Sequence, residues 1–305
     1  MTIPQGPLSV PCGVTAIVTA FSRPEKTLFT LQKLGSCVPP PSEILVHVDG
    51  HETECAFAIR HTGSDVRIIL SEANLGPGGS RNVLVRAASH PIVASFDDDS
   101  YPIDNDYFKR LLTVFEDFPD ASVVSARVYH VDEVVEEDTK SAEWVSDFPG
   151  GACAYLRETF LRTSGYVPLP VAYGMEEVDF ALRLHGQGGR VLQTSWLRVF
   201  HDTDRARHAD PRVTAASISN LALLTYLRYP ARLWLLGLGQ CVTRIQWLVR
   251  NGRLRGIFSG IASIPSQVLK YRGFRSRLRA STVLSYLDLR RHPVAADSRL
   301  ANGRA

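Results

Sequence analysis

Three consecutive carboxylates, Asp97-Asp98-Asp99, follow the apolar run Ile92 to Phe96 without a spacer. Such charges repel one another, and a hard divalent cation such as Mg²⁺ or Mn²⁺, usually shared with a substrate phosphate, offsets that repulsion. In extended backbone Asp97 and Asp99 point one way and Asp98 the other, so the alternate pair can address one ligand. The segment Asn74 to Asn82 (NLGPGGSRN) carries glycines that admit a close ligand, a helix start offering N–H groups to an anion, Ser80 as a candidate cap, and the charge of Arg81. It is neither G-x-G-x-x-G nor a Walker A loop. Glu176 and Glu177 fall at the start of an expected helix, where a carboxylate can serve as general base, and Asp179 and Arg183 are spaced to pair along it. His201 ends the run Val199-Phe200, and a neutral imidazole there can supply a third metal ligand.

Alternating β and α elements must hold these groups. Val14 to Ala20 reads as a buried strand, followed by a turn with Ser22 as cap and a helix from Pro24 to about Leu34. The pattern repeats in strands Glu43 to Val48, Val66 to Leu70 and Ile92 to Phe96, with a helix Arg81 to Ala88 between the last two. It continues with a helix from Tyr107 to about Phe118, a strand Ser122 to Tyr129 and an exposed acidic loop, Asp132 to Asp138. A strand Ala152 to Leu156, helices near Glu158 to Ser164 and Glu176 to Gly186, and a strand near Arg190 to Thr194 complete the body. This order implies an α/β fold with a mostly parallel central sheet covered on both faces, whose ligands sit beyond the carboxyl ends of the strands.

The composition, 305 residues with 45% hydrophobic and 21% charged, excludes disorder, collagen and a polytopic membrane protein. The net charge of +3 hides a division: residues 1–200 hold 16 Lys+Arg and 26 Asp+Glu, whereas residues 201–305 hold 18 and 5. The basic C-terminal part looks helical. Over Ala231 to Val249, apolar residues Leu235, Leu238, Val242, Ile245 and Leu248 fall at helical spacing, which suits either packing on the body or lying on a membrane. A cluster of arginines and Lys270 then alternates with Ile257, Phe258, Ile261, Leu269 and Phe274, a mixture that favours anionic lipid over nucleic acid. Five widely spaced cysteines without a C-x-x-C pair, and a start without a signal-peptide pattern, point to the cytoplasm.

In chain order, the segments VTAFSRPE, HVDG, NLGPGGSRN, FDDDS, PGGACAYLRE, YGMEEVDFALRL and VFHD resemble those of the family-2 inverting glycosyltransferases, over about residues 13 to 205. The continuation through Arg205, Arg207 and SISNLALLTYLRYP is similar to bacterial members that build cell-surface polysaccharides and lipid-linked glycans. The resemblance implies a Rossmann-like GT-A fold, with residues 1–12 as leader, 13–205 as catalytic domain and 206–305 as a basic helical extension. It implies that Thr19, Phe21, Arg23 and Asp49 hold the nucleoside, and that Asn74, Gly76, Arg81 and Asn82 line the donor side. Asp97 and Asp98 would also face the donor, and Asp99, Asp97 and His201 would hold Mn²⁺ or Mg²⁺. Gly150 and Gly151 would lie beneath the acceptor. The family base is usually the Asp of a Glu-Asp pair; here Glu177 stands at that position, with Glu176 as the competing assignment. The implied partners are a nucleotide-diphosphate sugar, a glycan or lipid-linked acceptor, and an anionic membrane at the cytoplasmic face. A sugar-phosphate nucleotidyltransferase and a non-catalytic glycan- or membrane-binding protein are the alternatives.

Overall fold

A computed structural model describes residues 13–50, 53–61, 65–171, 173–203 and 210–297. The expected leader, residues 1–12, and Arg205 and Arg207 lie outside the described residues. The chain begins with β1 (Val14–Ala20), α1 (Pro24–Gly35), β2 (Glu43–Val48), α2 (Thr53–Arg60) and β3 (Arg67–Leu70). Next come α3 (Gly76–Ala87), β4 (Ile92–Asp97), β5 (Ser100–Pro102), α4 (Tyr107–Asp117) and β6 (Ala121–Tyr129). The body continues with β7 (Ala142–Val145), β8 (Ala152–Leu156), α5 (Arg157–Leu161), α6 (Glu176–Gly186) and β9 (Arg190–His201). The C-terminal part contributes α7 (Pro211–Arg228), α8 (Trp234–Arg250), α9 (Ile257–Tyr271), α10 (Ala280–Arg291) and β10 (Val294–Ala295).

The α/β expectation holds. The sheet runs β10-β7-β9-β6-β8-β4-β1-β2-β3, with β5 paired to β9. Strands β3, β2, β1 and β4 are mutually parallel, as are β6 and β9, while β8 lies antiparallel between β4 and β6. Strand β1 is buried at every position, which accounts for its unbroken apolar and β-branched composition. Two apolar clusters cover the two faces. One includes Val46, Phe96, Phe108 and Leu111; the other includes Leu45, Leu84, Phe180 and Leu182.

Local chemistry revises several boundaries. Ser22 caps nothing: Arg23 occupies the cap position of α1 without a side-chain cap bond, and Ser22 takes a positive φ of 50° in the turn. Helix α3 begins at Gly76, five residues before the expected start, because Pro77 presets its first turn. Ser80 is therefore inside the helix. The cap comes from the residue just after β2: Asp49 accepts from the N–H groups of Leu75 at 2.9 Å and Gly76 at 2.8 Å. The acidic stretch from 132 to 138 is irregular and mostly exposed, as expected, with Asp138 paired to Arg110. Helix α2 and strands β5, β7 and β10 have no counterpart in the sequence reading.

Residues beyond the expected boundary near 205 share the core of the body. Leu223, Leu224 and Leu227 of α7 and Val283 and Tyr286 of α10 join the second cluster, and β10 adds an edge strand to β7. A fully buried leucine stabilises by about 1.5–3 kcal/mol. Three on one helix therefore bind α7 firmly to the body.

Candidate active site

The β1–β4 register sets Thr19 opposite Asp97, and the β5–β9 register sets Ser100 opposite His201. The first pairing brings the turn after β1 to the acidic triplet. The second delivers a histidine from about a hundred residues downstream to the same place. Ligand atoms of Asp97, Asp99 and His201 lie within 4.8 Å of one another, a group that could hold a divalent metal ion. Two carboxylates and an imidazole suit Mn²⁺ or Mg²⁺. Asp99 Oδ1 is buried with the His201 Nε2 beside it at 3.2 Å and no closer partner, and such an under-satisfied oxygen fits a metal ligand.

The triplet is not one extended stretch. β4 ends at Asp97, a turn takes Asp98 and Asp99, and β5 resumes at Ser100. Arg23 gathers what the turn separates, donating from Nε to Asp98 Oδ2 at 2.9 Å and from its terminal nitrogens to Asp98 and Asp99. Burial pushes the Asp98 carboxyl up to about 7 even beside Arg23. Burial acts the same way on Asp99, but His201 and Arg23 outweigh it and hold that carboxyl below its ordinary value. For His201, burial favours the neutral ring, while Asp99 and Asp97 raise its pKa overall. Burial at Asp98 and the added His201 contact at Asp99 thus separate two adjacent aspartates that share Arg23.

Thr19, Phe21, Arg23, Asp49, Asn74, Gly76, Asp97 and Asp98 line one cleft of about 420 Å³ beyond the ends of β1, β2 and β4. Ala20, Ser22, Pro77, Ser80 and Pro170 complete its wall, and of these only Pro170 lies outside the segments that carried the resemblance. Phe21 is half-exposed at the wall, its ring beside the Gly50 backbone. Gly76, at φ +70°, lies so close to the chain at Leu169 that a Cβ would approach its carbonyl oxygen to 2.0 Å. No larger residue fits there without moving Leu169.

Two expected donor residues lie elsewhere. Asn82 closes a pair of hydrogen bonds with the backbone of Tyr166, 2.9 and 2.7 Å, and does not line the cleft. Arg81 is buried beneath the floor. Its guanidinium joins Asp97 to Glu176, at 3.3 Å from Glu176 Oε1, and its Nε donates to Ser95 at 3.1 Å. Both side chains leave α3 on its inward side, which its early start turns towards the body.

Gly150 and Gly151 form the floor shared by the two carboxylate groups. A Cβ on Gly151 would come within 2.3 Å of Asp97 Oδ2, and one on Gly150 within 2.8 Å of both Arg81 and Glu177. The turn is pinned from below, with Ser95 donating to the Gly150 carbonyl at 2.7 Å and Ser100 to that of Gly151 at 2.6 Å. Glu177 accepts from the Gly150 N–H at 3.3 Å and is partly exposed, whereas Glu176 is buried against Arg81. Burial raises the pKa of both glutamates; Glu177 adds to the rise at Glu176, and Arg81 opposes it at both. The expected Asp179–Arg183 pair forms at 2.9 Å, joined by Arg228 from α7, which spacing could not reveal.

Solved structures of similar fold include a mannosyltransferase and a protein crystallised with UDP, GalNAc and Mn²⁺. The chain aligns with GalNAc-T7 crystallised with UDP, GalNAc and Mn²⁺ at TM-score 0.56 and 12% identity, covering 72% of this chain and 48% of that one. It thus spans about half the length of that relative. It aligns with the mannosyltransferase PcManGT from Pyrobaculum calidifontis, in complex with GDP-Man and Mn²⁺, at TM-score 0.56 and 18% identity, covering 91% and 85%. S. aureus TarS residues 1–349 align at TM-score 0.51 and 14% identity, covering 70% and 69%. At these identities the likeness establishes the GT-A fold. No curated protein matches the sequence. The model described as glycosyl transferase family 2 matches residues 15–167, just over half of the 305 residues, and the chain therefore belongs to glycosyl transferase family 2.

Proposed function

We propose that the chain is an inverting hexosyl- or deoxyhexosyltransferase that moves a sugar from a nucleotide-diphosphate donor to a hydroxyl of a glycan or lipid-linked acceptor. Its place would be bacterial surface-polysaccharide assembly at the cytoplasmic face of the membrane, a setting supported by the sequence resemblance. The observation that carries the reading is the clustering of Asp97, Asp99 and His201 at one end of the Gly150–Gly151 floor, with the partly exposed Glu177 at the other.

Phe21 offers a stacking face to the base, and Asn74 and Arg23 offer polar contacts along the cleft. A divalent ion held by Asp97, Asp99 and His201 supplies Lewis-acid stabilisation of the departing diphosphate. Glu177 takes the proton of the acceptor hydroxyl as that oxygen attacks the anomeric carbon from the face opposite the leaving group, inverting the centre. Burial raises its pKa above that of a solvated glutamate and so strengthens it as a base, and such catalysis contributes roughly 10²–10⁴ in rate. Glu176 is tied to Arg81 and sealed from the acceptor, which favours a positioning role for it.

The test titrates wild type and Glu177→Gln with UDP-, dTDP- and GDP-sugars, with and without Mn²⁺. NMR then reads the anomeric configuration of any product. Metal-dependent donor binding in both proteins, with inverting turnover in wild type alone, is expected. Turnover surviving in Glu177→Gln moves the base elsewhere. Pyrophosphate release from a nucleoside triphosphate and a sugar phosphate replaces the reading with a nucleotidyltransferase, and absence of donor binding replaces it with a non-catalytic binder.

A further inference from the structure

Helices α8 and α9 each carry two lines of residues. On α8, Gly237, Cys241 and Leu248 are buried, while Leu235, Leu238, Val242 and Val249 form an exposed apolar stripe, with Leu235 83% accessible. On α9, Gly260 and Tyr271 are buried, while Phe258, Ile261, Pro265 and Leu269 form a second stripe, with Phe258 85% accessible. The sequence pattern thus splits: Leu248 belongs to the packing seam, and Val249 continues the exposed line.

The two stripes face one way. Gly237 meets Thr225 and Arg244 donates to Ser217 at 3.2 Å, so α8 runs antiparallel to α7. Gly256 meets Pro211 and Gly260 meets Ala215 and Ile218, so α9 runs parallel to it. At about 100° per residue these contact lines lie roughly a quarter turn apart on α7, the α9 line opposite Leu223, Leu224 and Leu227, which face the body, and the α8 line to one side of them. Continuing the same rotation around α8 and α9 turns both stripes to one side, away from the catalytic body.

The charge around this face is of one sign. Residues 211–287 contain twelve Lys or Arg and no Asp or Glu. Arg232, Arg250, Arg255, Lys270 and Arg272 are exposed at the helix ends and in the turn between α8 and α9, and Arg253 lies over the Trp247 ring at 5.2 Å. A cationic rim around an apolar face complements anionic headgroups over acyl chains. No helix among the described residues is long and apolar enough to cross a bilayer. We infer that the paired α8–α9 face is a docking surface for an anionic lipid bilayer, on which both helices lie in the interface plane. This goes beyond the sugar chemistry proposed above and needs no turnover to be tested.

The experiment sediments the full chain with vesicles of phosphatidylglycerol and phosphatidylcholine, or of phosphatidylcholine alone. Wild type should sediment with the anionic vesicles, less so at high salt, and weakly with the neutral ones. Leu238→Glu combined with Phe258→Glu should reduce partition by about tenfold or more. Val134→Glu, at an exposed apolar residue of the irregular acidic stretch, should leave it unchanged. Circular dichroism should confirm that all three proteins are equally folded. Failure of wild type to bind anionic vesicles, or equal binding by the double variant, overturns the inference. So does a concentration-dependent dimer of wild type that the double variant abolishes, because a second copy would then cover the face. Preference for duplex DNA over vesicles overturns it as well.

Discussion

Gly151 lies against the carboxylate of Asp97, with 2.3 Å between a would-be Cβ and Asp97 Oδ2. Neither partner can retreat. Asp97 is held by Thr19 at 3.1 Å and by Arg81, and Gly151 by the Ser100 hydroxyl that also accepts from the Asp97 N–H. Gly151→Ala should therefore displace the metal carboxylate at a cost of about 1–3 kcal/mol. Calorimetric titration with Mn²⁺ and a donor nucleotide should read a roughly tenfold to hundredfold loss of affinity. Wild-type affinity in a folded Gly151→Ala protein would show that Asp97 is not under this constraint.

Asp49 illustrates a residue with two duties. It lines the cleft, and its carboxylate holds the Ser71 hydroxyl and the Leu75 and Gly76 amides, fixing the start of α3. Asp49→Ala should lower stability by at least the roughly 1–2 kcal/mol of a lost cap. Asp49→Asn, which keeps one acceptor oxygen, should recover part of that. Urea denaturation distinguishes them, and an Asp49→Ala protein of wild-type stability would limit Asp49 to ligand contact.

The state of Glu177 sets the expected pH dependence. Burial raises its pKa above the ordinary 4.5, so the protonated, inactive form persists to higher pH than for a solvated glutamate. At saturating metal, kcat/KM should rise with pH through that raised value and then level off. The same shift affects stability with the opposite sign. A carboxyl held above its unfolded value favours the fold most below pH 4.5, and this contribution is lost as pH rises through the folded value. A rate profile already flat from pH 4.5 upward would remove Glu177 from the role of base.

Strand ends were the most legible part of this molecule, because an apolar run such as Ile92 to Phe96 carries its own signal and a parallel sheet places ligands beyond its carboxyl ends. Hence Arg23, Asp49 and Asp97 could be grouped in advance, and the register brings His201 to them. Direction around a helix was less legible. Asn82 and Arg81 share the donor loop in sequence, but the start of α3 at Gly76 points both inward. Contacts between distant segments left no local trace at all. Nothing near Arg23 announces its grip on Asp98, and nothing near Val294 announces its pairing with Trp144.

Arg228 supplies the test of how the C-terminal helices are joined to the catalytic body. Its guanidinium reaches from α7 to Asp179 of α6, Nη2 to Oδ2 at 3.1 Å, and also donates to the Phe274 carbonyl at 2.7 Å. Both ionic side chains are almost fully buried, so removing one leaves a charge that water cannot solvate. Arg183 remains beside Asp179 and softens the loss, but it cannot reach across to α7 in its place. Arg228→Met should destabilise the protein by about 3–5 kcal/mol. Arg228→Lys keeps the charge without the two-pronged geometry and should fall between that variant and wild type. Hydrogen exchange should show lost protection in α7 and around Phe274 before any change in β1 or β4. Uniform loss of protection across the sheet would mean that the pair supports the whole fold equally, and a change under about 0.5 kcal/mol would mean that apolar packing alone holds α7 in place.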